Sequence, residues 1–284
     1  MRNLRLTLET AAANLALDEA LLEAAEAQPL SDSASSRAAA LARPSGILRL
    51  WEPQQYFVVL GRSSQSQQEV ALATCARDGV PLLRRTSGGA TIVAGPGCLM
   101  YALVLGYGEI GQGQRIPGSE DHGSRVPHHE AYPDRPFQPL LDINATHRFV
   151  LGRIAQSLSS LAPGIVQAGI SDLALPACRL PCGETGLYKF SGNSLRCKRT
   201  HYLYHGTLLY DFDLPRISRW LKTPPRQPDY RSARPHATFL ANLPATQDQL
   251  VLALTRDWHA LQPLDDWPRE RTARLVREKY QVVT

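Results

Sequence analysis

Apolar residues recur at helical spacing through residues 11–27. There Leu15, Ala16, Ala20, Leu21 and Leu22 share one face of an Ala-, Leu- and Glu-rich stretch. The spacing predicts an amphipathic helix. The period then shortens: residues 47–51 and 56–61 are strand-like runs on either side of a Glu-Pro-Gln-Gln turn. Residues 68–78 read as a short helix stopped by Gly79, and residues 81–85, 90–93 and 99–105 as strands, the last two separated by Gly95-Pro96-Gly97. Residues 31–45 read as a surface loop. From 106 to 139 the pattern gives way to Gly, Pro, His and charge, which predicts a flexible insert. Helical spacing resumes at 142–161, with Ile143, Phe149, Val150, Ile154 and Leu158 on one face. Strands are expected at 169–175, 187–190 and 202–212, and helices at 214–221 and 246–261 around a Pro- and Arg-rich connector. With no repeat and no clear linker, the order predicts one α+β domain over 1–284, a mixed β-sheet with flanking helices.

Composition narrows this further. A chain of 284 residues, 43% hydrophobic and 20% charged, buries a full core and is not a disordered tail. No apolar run approaches the roughly 18 residues of a membrane span. The start, Met1 to Thr7, lacks a secretory apolar region, so cytoplasmic residence is expected. Five cysteines form no paired spacing; Cys178, Cys182 and Cys197 read as thiols and not as a zinc cluster. His122, His128 and His129 likewise read as solvated loop histidines, and no metal site is expected from the protein alone. The net charge of +5 is spread along the chain, denser at 222–234 and 269–279. It suits an acidic protein partner or a phosphate-bearing ligand, and no motif supports nucleic-acid binding.

Two elements then carry the chemistry. In Arg84-Arg85-Thr86-Ser87-Gly88-Gly89 the glycines bring backbone N–H groups close to a bulky anion, Arg85 offers a guanidinium fork, and Ser87 a hydroxyl. Alone, this is a hairpin turn with a surface arginine. Downstream, Lys189 leads into Phe190-Ser191-Gly192-Asn193. Alone, it is an edge-strand lysine. Facing the glycine turn, its ammonium would stabilise negative charge on an acyl oxygen and a phosphate, and Gly192 would permit close approach of a ligand. His205-Gly206-Thr207 interrupts a strand with glycine, as where a ligand or backbone comes near; His205 reads as pocket-lining, not as a general base.

In this order the segments resemble the lipoate–protein ligase A family of the biotin/lipoate ligase superfamily. Asn14 to Leu22 resembles its first helix, and residues 48–51 with 58–62 its opening strands. Arg84 to Gly89 resembles its RRxSGG signature, Ser171-Asp172-Leu173 the strand before its lysine, Lys189 to Asn193 its K-[IV]-[SA]-G-x motif, and His205 to Leu209 its HGTLL strand. The resemblance implies a class II synthetase-like catalytic domain and a two-step reaction. Lipoate or octanoate and Mg2+-ATP would give an acyl-AMP, and a lysine of a lipoyl domain would take the acyl group. That domain would belong to a 2-oxoacid dehydrogenase E2 or a glycine cleavage H protein. Lys189 would be catalytic. Arg85, Ser87, Gly88, Gly89, Ala90, Thr91, Ile92 and Val93, with Gly192, Asn193, His205, Gly206 and Thr207, would hold nucleotide and acyl group. Arg231 or Arg234 would reach the nucleotide from a covering loop. The chain departs from the family at Ala90, where a third glycine is common, at Ala94 in place of a histidine, and at Phe190 in place of Val or Ile. It is expected to lack the small C-terminal accessory domain, which either a separate subunit would supply or the enzyme would do without. The alternatives are an octanoyltransferase drawing on acyl carrier protein, with Cys178 or Cys182 as nucleophile, and a non-catalytic relative.

Overall fold

The computed structural model describes residues 1–27, 46–107, 142–177 and 186–283. Its strands in chain order are β1 (Arg2–Arg5), β2 (Ile47–Trp51), β3 (Phe57–Leu60), β4 (Leu82–Arg84), β5 (Ile92–Ala94), β6 (Cys98–Gly106), β7 (Val166–Ala168), β8 (Asp172–Pro176), β9 (Leu187–Cys197), β10 (His201–Leu209) and β11 (Gln262–Pro263). The helices are α1 (Ala11–Glu26), α2 (Ser66–Glu69), α3 (Leu72–Arg77), α4 (Ile143–Leu158), α5 (Pro215–Trp220), α6 (Gln247–Asp257) and α7 (Arg269–Glu278). Eight strands form one mixed sheet in the order β11-β1-β2-β6-β10-β9-β8-β7, and three form a smaller sheet, β4-β3-β5. The expected α+β class, mixed sheets with flanking helices, is the one observed.

Strand β6 shows why the core reads as an unbroken apolar run. Leu99, Tyr101, Leu103 and Leu105 face α4 and α6. Cys98 and Met100 face the small sheet, and Ala102 and Val104 face α1. A strand covered on both sides carries apolar residues at every position. The opening helix α1 starts on Thr10, whose hydroxyl accepts from the Ala13 N–H at 3.1 Å. It is fixed to the sheet by Arg49 of β2, which is fully buried and donates to Asp18 Oδ1 at 2.5 Å and to the Asn14 carbonyl at 2.8 Å.

Four readings of the pattern change. Residues 68–78 form two short helices, α2 and α3, because Val70 between them turns extended and pairs with Leu221. Strand β9 runs to Cys197, well past the expected stop at 190, so Lys189 lies near its start. The segment 169–175 splits into a turn at Gly169 (φ 56°) and β8, with β7 before it. The strand β1 and helix α7 carry too few apolar residues to stand out in sequence; α7 buries only Thr272 and Leu275. The loop 31–45, Cys178, Cys182 and the insert 106–139, apart from Gly106 and Tyr107, lie outside the described residues.

Candidate functional site

The glycine turn joins β4 to β5 and is organised by Arg85. Its Nη2 donates to the carbonyls of Gly88 (2.6 Å) and Ala90 (2.9 Å), Nε to Gly88 and to Ser87 Oγ (both 3.1 Å), and Nη1 to Val59 (3.3 Å). Burial pushes this guanidinium down to about 10, which still leaves it charged at neutral pH. The expectation of a direct Arg85 fork on phosphate is therefore corrected: its donors hold the turn, and its charge acts from beneath. Gly89 takes φ 83°, the left-handed conformation that favours glycine. Among the described residues the N–H groups of Gly88, Gly89 and Ala90 donate to no protein acceptor. Successive free N–H groups beside a buried cation are a chemistry that can receive an anion. Beyond it, Thr91 is pinned by Glu69, whose Oε2 accepts from the Thr91 hydroxyl (2.6 Å) and N–H (3.0 Å). Burial works to raise that carboxyl, but these hydrogen bonds prevail and it lies below its ordinary range.

Strand β9 ties this turn to the lysine. Ser194 donates to the Gly88 carbonyl at 2.9 Å, and five positions earlier on the same strand stands Lys189. The Lys189 ammonium lies 2.8 Å from Asp172 Oδ1, with the lysine side chain 26% exposed. A Cβ on Gly192 would come 3.0 Å from Nζ, so the glycine leaves the ammonium its room. Asn193 is a brace: its Nδ2 donates to the Ser171 carbonyl at 2.8 Å, and its Oδ1 accepts from Tyr101. Gly206 must be glycine, since a Cβ there would sit 1.8 Å from Asn193 Oδ1. His205 Nε2 lies 2.6 Å from Ser87 Oγ, and Nδ1 lies 3.9 Å from Asp18 Oδ2. Ser87 Oγ already accepts from Arg85, so donating to Nε2 satisfies both groups.

These elements share one cavity of about 670 Å³. Lys189, Asp172, Gly192, Asn193 and Thr207 line one part of it, and Arg85, Gly89, Ala90, Thr91 and Ile92 another, with His205 and Gly206 also on its wall. Leu15, Val59 and Met100 add an apolar portion. Ser87, Gly88 and Val93 do not line it. Ser87 is wholly buried, and Val93 packs in the core under the small sheet, which corrects its expected ligand contact.

The covering loop contributes different residues from those expected. Arg226, Gln227, Pro228, Asp229 and Tyr230 border the cavity. Arg231 and Arg234 turn away: Arg231 Nε donates to the Arg234 carbonyl, and Arg234 donates to the carbonyls of Arg231, Thr238, Leu187 and Tyr230. The Arg234 fork is spent on the loop's own carbonyls, Arg231 is buried over the Phe239 ring with its Nη2 unbonded, and neither lines the cavity. Sequence reasoning passed over Asp172 as a site residue, although Ser171-Asp172-Leu173 marked its strand. Tyr230, Met100 and Leu15 carried no signal beyond their apolar or loop surroundings. Among the described residues no group of three or more His, Cys, Asp or Glu is placed to hold a metal ion, and no helix is long and apolar enough to cross a membrane.

Residues 10–116 match the family model described as the lipoyl protein ligase A/B catalytic domain. No curated protein matches the chain. Among solved structures, it is similar to a chain from the Thermoplasma acidophilum structure of a bipartite lipoate protein ligase and its E2 lipoyl domain. That match has 20% identity and a TM-score of 0.66, and covers 98% of this chain and 92% of the other. A lipoate–protein ligase A solved with ATP matches at 22% identity and a TM-score of 0.62, covering 98% and 92%. The Plasmodium falciparum protein LipL1, solved with lipoate, matches at 15% identity and a TM-score of 0.56, covering 90% and 61%. At these identities the likeness establishes the fold. The family-model match is confined to residues 10–116, and over nearly its whole length the chain, with its cavity, has the fold of the lipoate–protein ligases it is similar to.

Proposed function

We propose that the protein is a lipoate–protein ligase. It would activate lipoate or octanoate with ATP to an acyl-AMP and transfer the acyl group to a lysine of a lipoyl domain. One observation carries the reading: the Lys189 ammonium and the unbonded N–H groups of the glycine turn are joined through Ser194 around a single cavity with an apolar portion. A carboxylate is a poor acyl donor until one oxygen becomes a good leaving group, and the protein's task is to position the groups and neutralise charge. The carboxylate of the acid attacks the α-phosphorus, and pyrophosphate leaves. The acceptor amine then attacks the acyl carbon, AMP leaves, and the nitrogen gives up its proton. Lys189 would lie against the acyl and phosphate oxygens in both steps, while Gly89 and Ala90 bind phosphate and Leu15, Val59 and Met100 take the aliphatic chain. Mg2+ bound to the nucleotide would neutralise its phosphates, an arrangement that asks for few protein ligands.

As acceptors we propose E2 or H-protein lipoyl domains; the similar Thermoplasma structure is described as that of a lipoylation system with a bipartite lipoate protein ligase and its E2 lipoyl domain. That ligase is bipartite, which supports a separate accessory subunit beside one catalytic domain spanning 1–284. The test is incubation with lipoate, Mg2+-ATP and an apo lipoyl domain, followed by intact-mass measurement. A gain of one lipoyl group with AMP release is expected, and Lys189→Ala should reduce the rate at least a hundredfold or so. Acyl transfer from acyl carrier protein without ATP, or full activity in Lys189→Ala, would contradict the reading.

A further inference from the structure

Both oxygens of Asp172 are engaged, from opposite sides. Oδ1 lies 2.8 Å from the Lys189 ammonium, and Oδ2 accepts from the Tyr230 hydroxyl at 2.8 Å. The Asp172 side chain is only 10% exposed. Tyr230 reaches it from the 3-10 turn Asp229–Arg231, with its ring packed on Phe239 (5.3 Å between centroids) and lying over Gly169. The self-bonded Arg231 and Arg234 fix that turn, so the hydroxyl is presented from a held platform. Burial, followed by the charge of Asp172, pushes the phenol well above its ordinary range and keeps it a donor.

A lysine that neutralises an acyl phosphate cannot stay wholly committed to a neighbouring carboxylate. As Nζ moves toward the anion, Asp172 gives up a partner, and a buried carboxylate left without one is costly. We propose that Tyr230 is a positioning residue for the activation step: it holds Asp172 in register with Lys189, and keeps that carboxylate satisfied while the ammonium is shared with the substrate anion. This rests on the ligase reading and deepens it, since it assigns how Lys189 is released to the substrate. The other charged or titratable groups about this pair include His236, which senses both Lys189 and Arg231, His147 and Tyr204, which sense Asp172, and Arg231, Arg234 and Asp229. Among the described residues none of these donates to Asp172.

The test uses the full chain as wild type, Tyr230→Phe, Asp172→Asn and the double variant. The sequence has four lysines, so the 15Nζ ammonium signals are few, and Lys189→Arg assigns the one needed. In the ligand-free protein Tyr230→Phe should move the Lys189 signal. It should also lower kcat for acyl-AMP formation about tenfold, while KM for ATP and lipoate stays within about twofold. In the Asp172→Asn background Tyr230→Phe should add nothing, because its effect runs through that carboxylate. An unmoved Lys189 signal, or the same kcat loss in both backgrounds, would reduce Tyr230 to a packing residue on Gly169 and Phe239. If wild type formed no acyl-AMP, the ligase reading would fall; the Lys189 signal, read without substrate, would still decide for Tyr230 by moving or against it by staying.

Discussion

Arg85 and His236 show how far a residue's type predicts its task. An arginine before two glycines signals an anion, and the signal is sound as to place. It does not reveal that the guanidinium faces the turn's own carbonyls, because that depends on how the loop folds back over Val59 and Ala90. Lys189 and Gly192 were legible as a pair, with the glycine read as room for a ligand; the structure adds that a Cβ there would crowd the ammonium. Asp172 was not, because a short acidic residue at a strand start is commonplace. His236 gave no signal at all, yet it carries a testable property. Burial, reinforced by the charges of Arg231 and Lys189, pushes its imidazole down to about 4. The ordinary value is about 6.5, so as pH falls the unfolded chain takes up the proton first. The stability that His236 contributes is whole above about 6.5 and is lost between there and about 4. The thermal midpoint of wild type should therefore fall more steeply over that window than that of His236→Asn. Superimposable profiles would contradict this.

At the scale of elements, the long periodic segments were readable and the tightly tertiary ones were not. Helix α1 and strand β6 follow their apolar patterns because each buries a whole face or both faces, and α4 does so except at Ile143, expected on its buried face but 54% exposed at the helix start. The α2–α3 break depends on Val70 pairing with Leu221, a contact no local window contains. Strand β9 extends through Ser194 because both edges find partners, β8 and β10, which matters for function since Ser194 is the tie to the glycine turn. The junction of α1 and β2 makes its own prediction. Arg49 and Asp18 are both out of water, and removing one partner strands the other's charge. Arg49→Met should cost about 3–5 kcal/mol in chemical denaturation, and combining it with Asp18→Leu should recover at least half of that. A single variant as stable as wild type would show that the buried pair does not fasten the helix.

For the molecule as a whole, the order of elements brings distant segments into one wall. The small sheet delivers the glycine turn, the large sheet delivers Lys189, Asp172 and His205, and the 226–230 segment closes one side. Sequence order foretold that two motifs belong together; the hydrogen bond from Ser194 to Gly88 and the shared cavity supply the physical route. A non-reactive sulfamoyl analogue of lipoyl-adenylate, titrated by calorimetry into wild type, Lys189→Ala and Gly89→Ala, measures that convergence directly. With both variants folded, each should lose about tenfold or more in affinity for the same analogue. Undiminished affinity in either variant would mean that the lysine and the glycine turn do not serve one ligand.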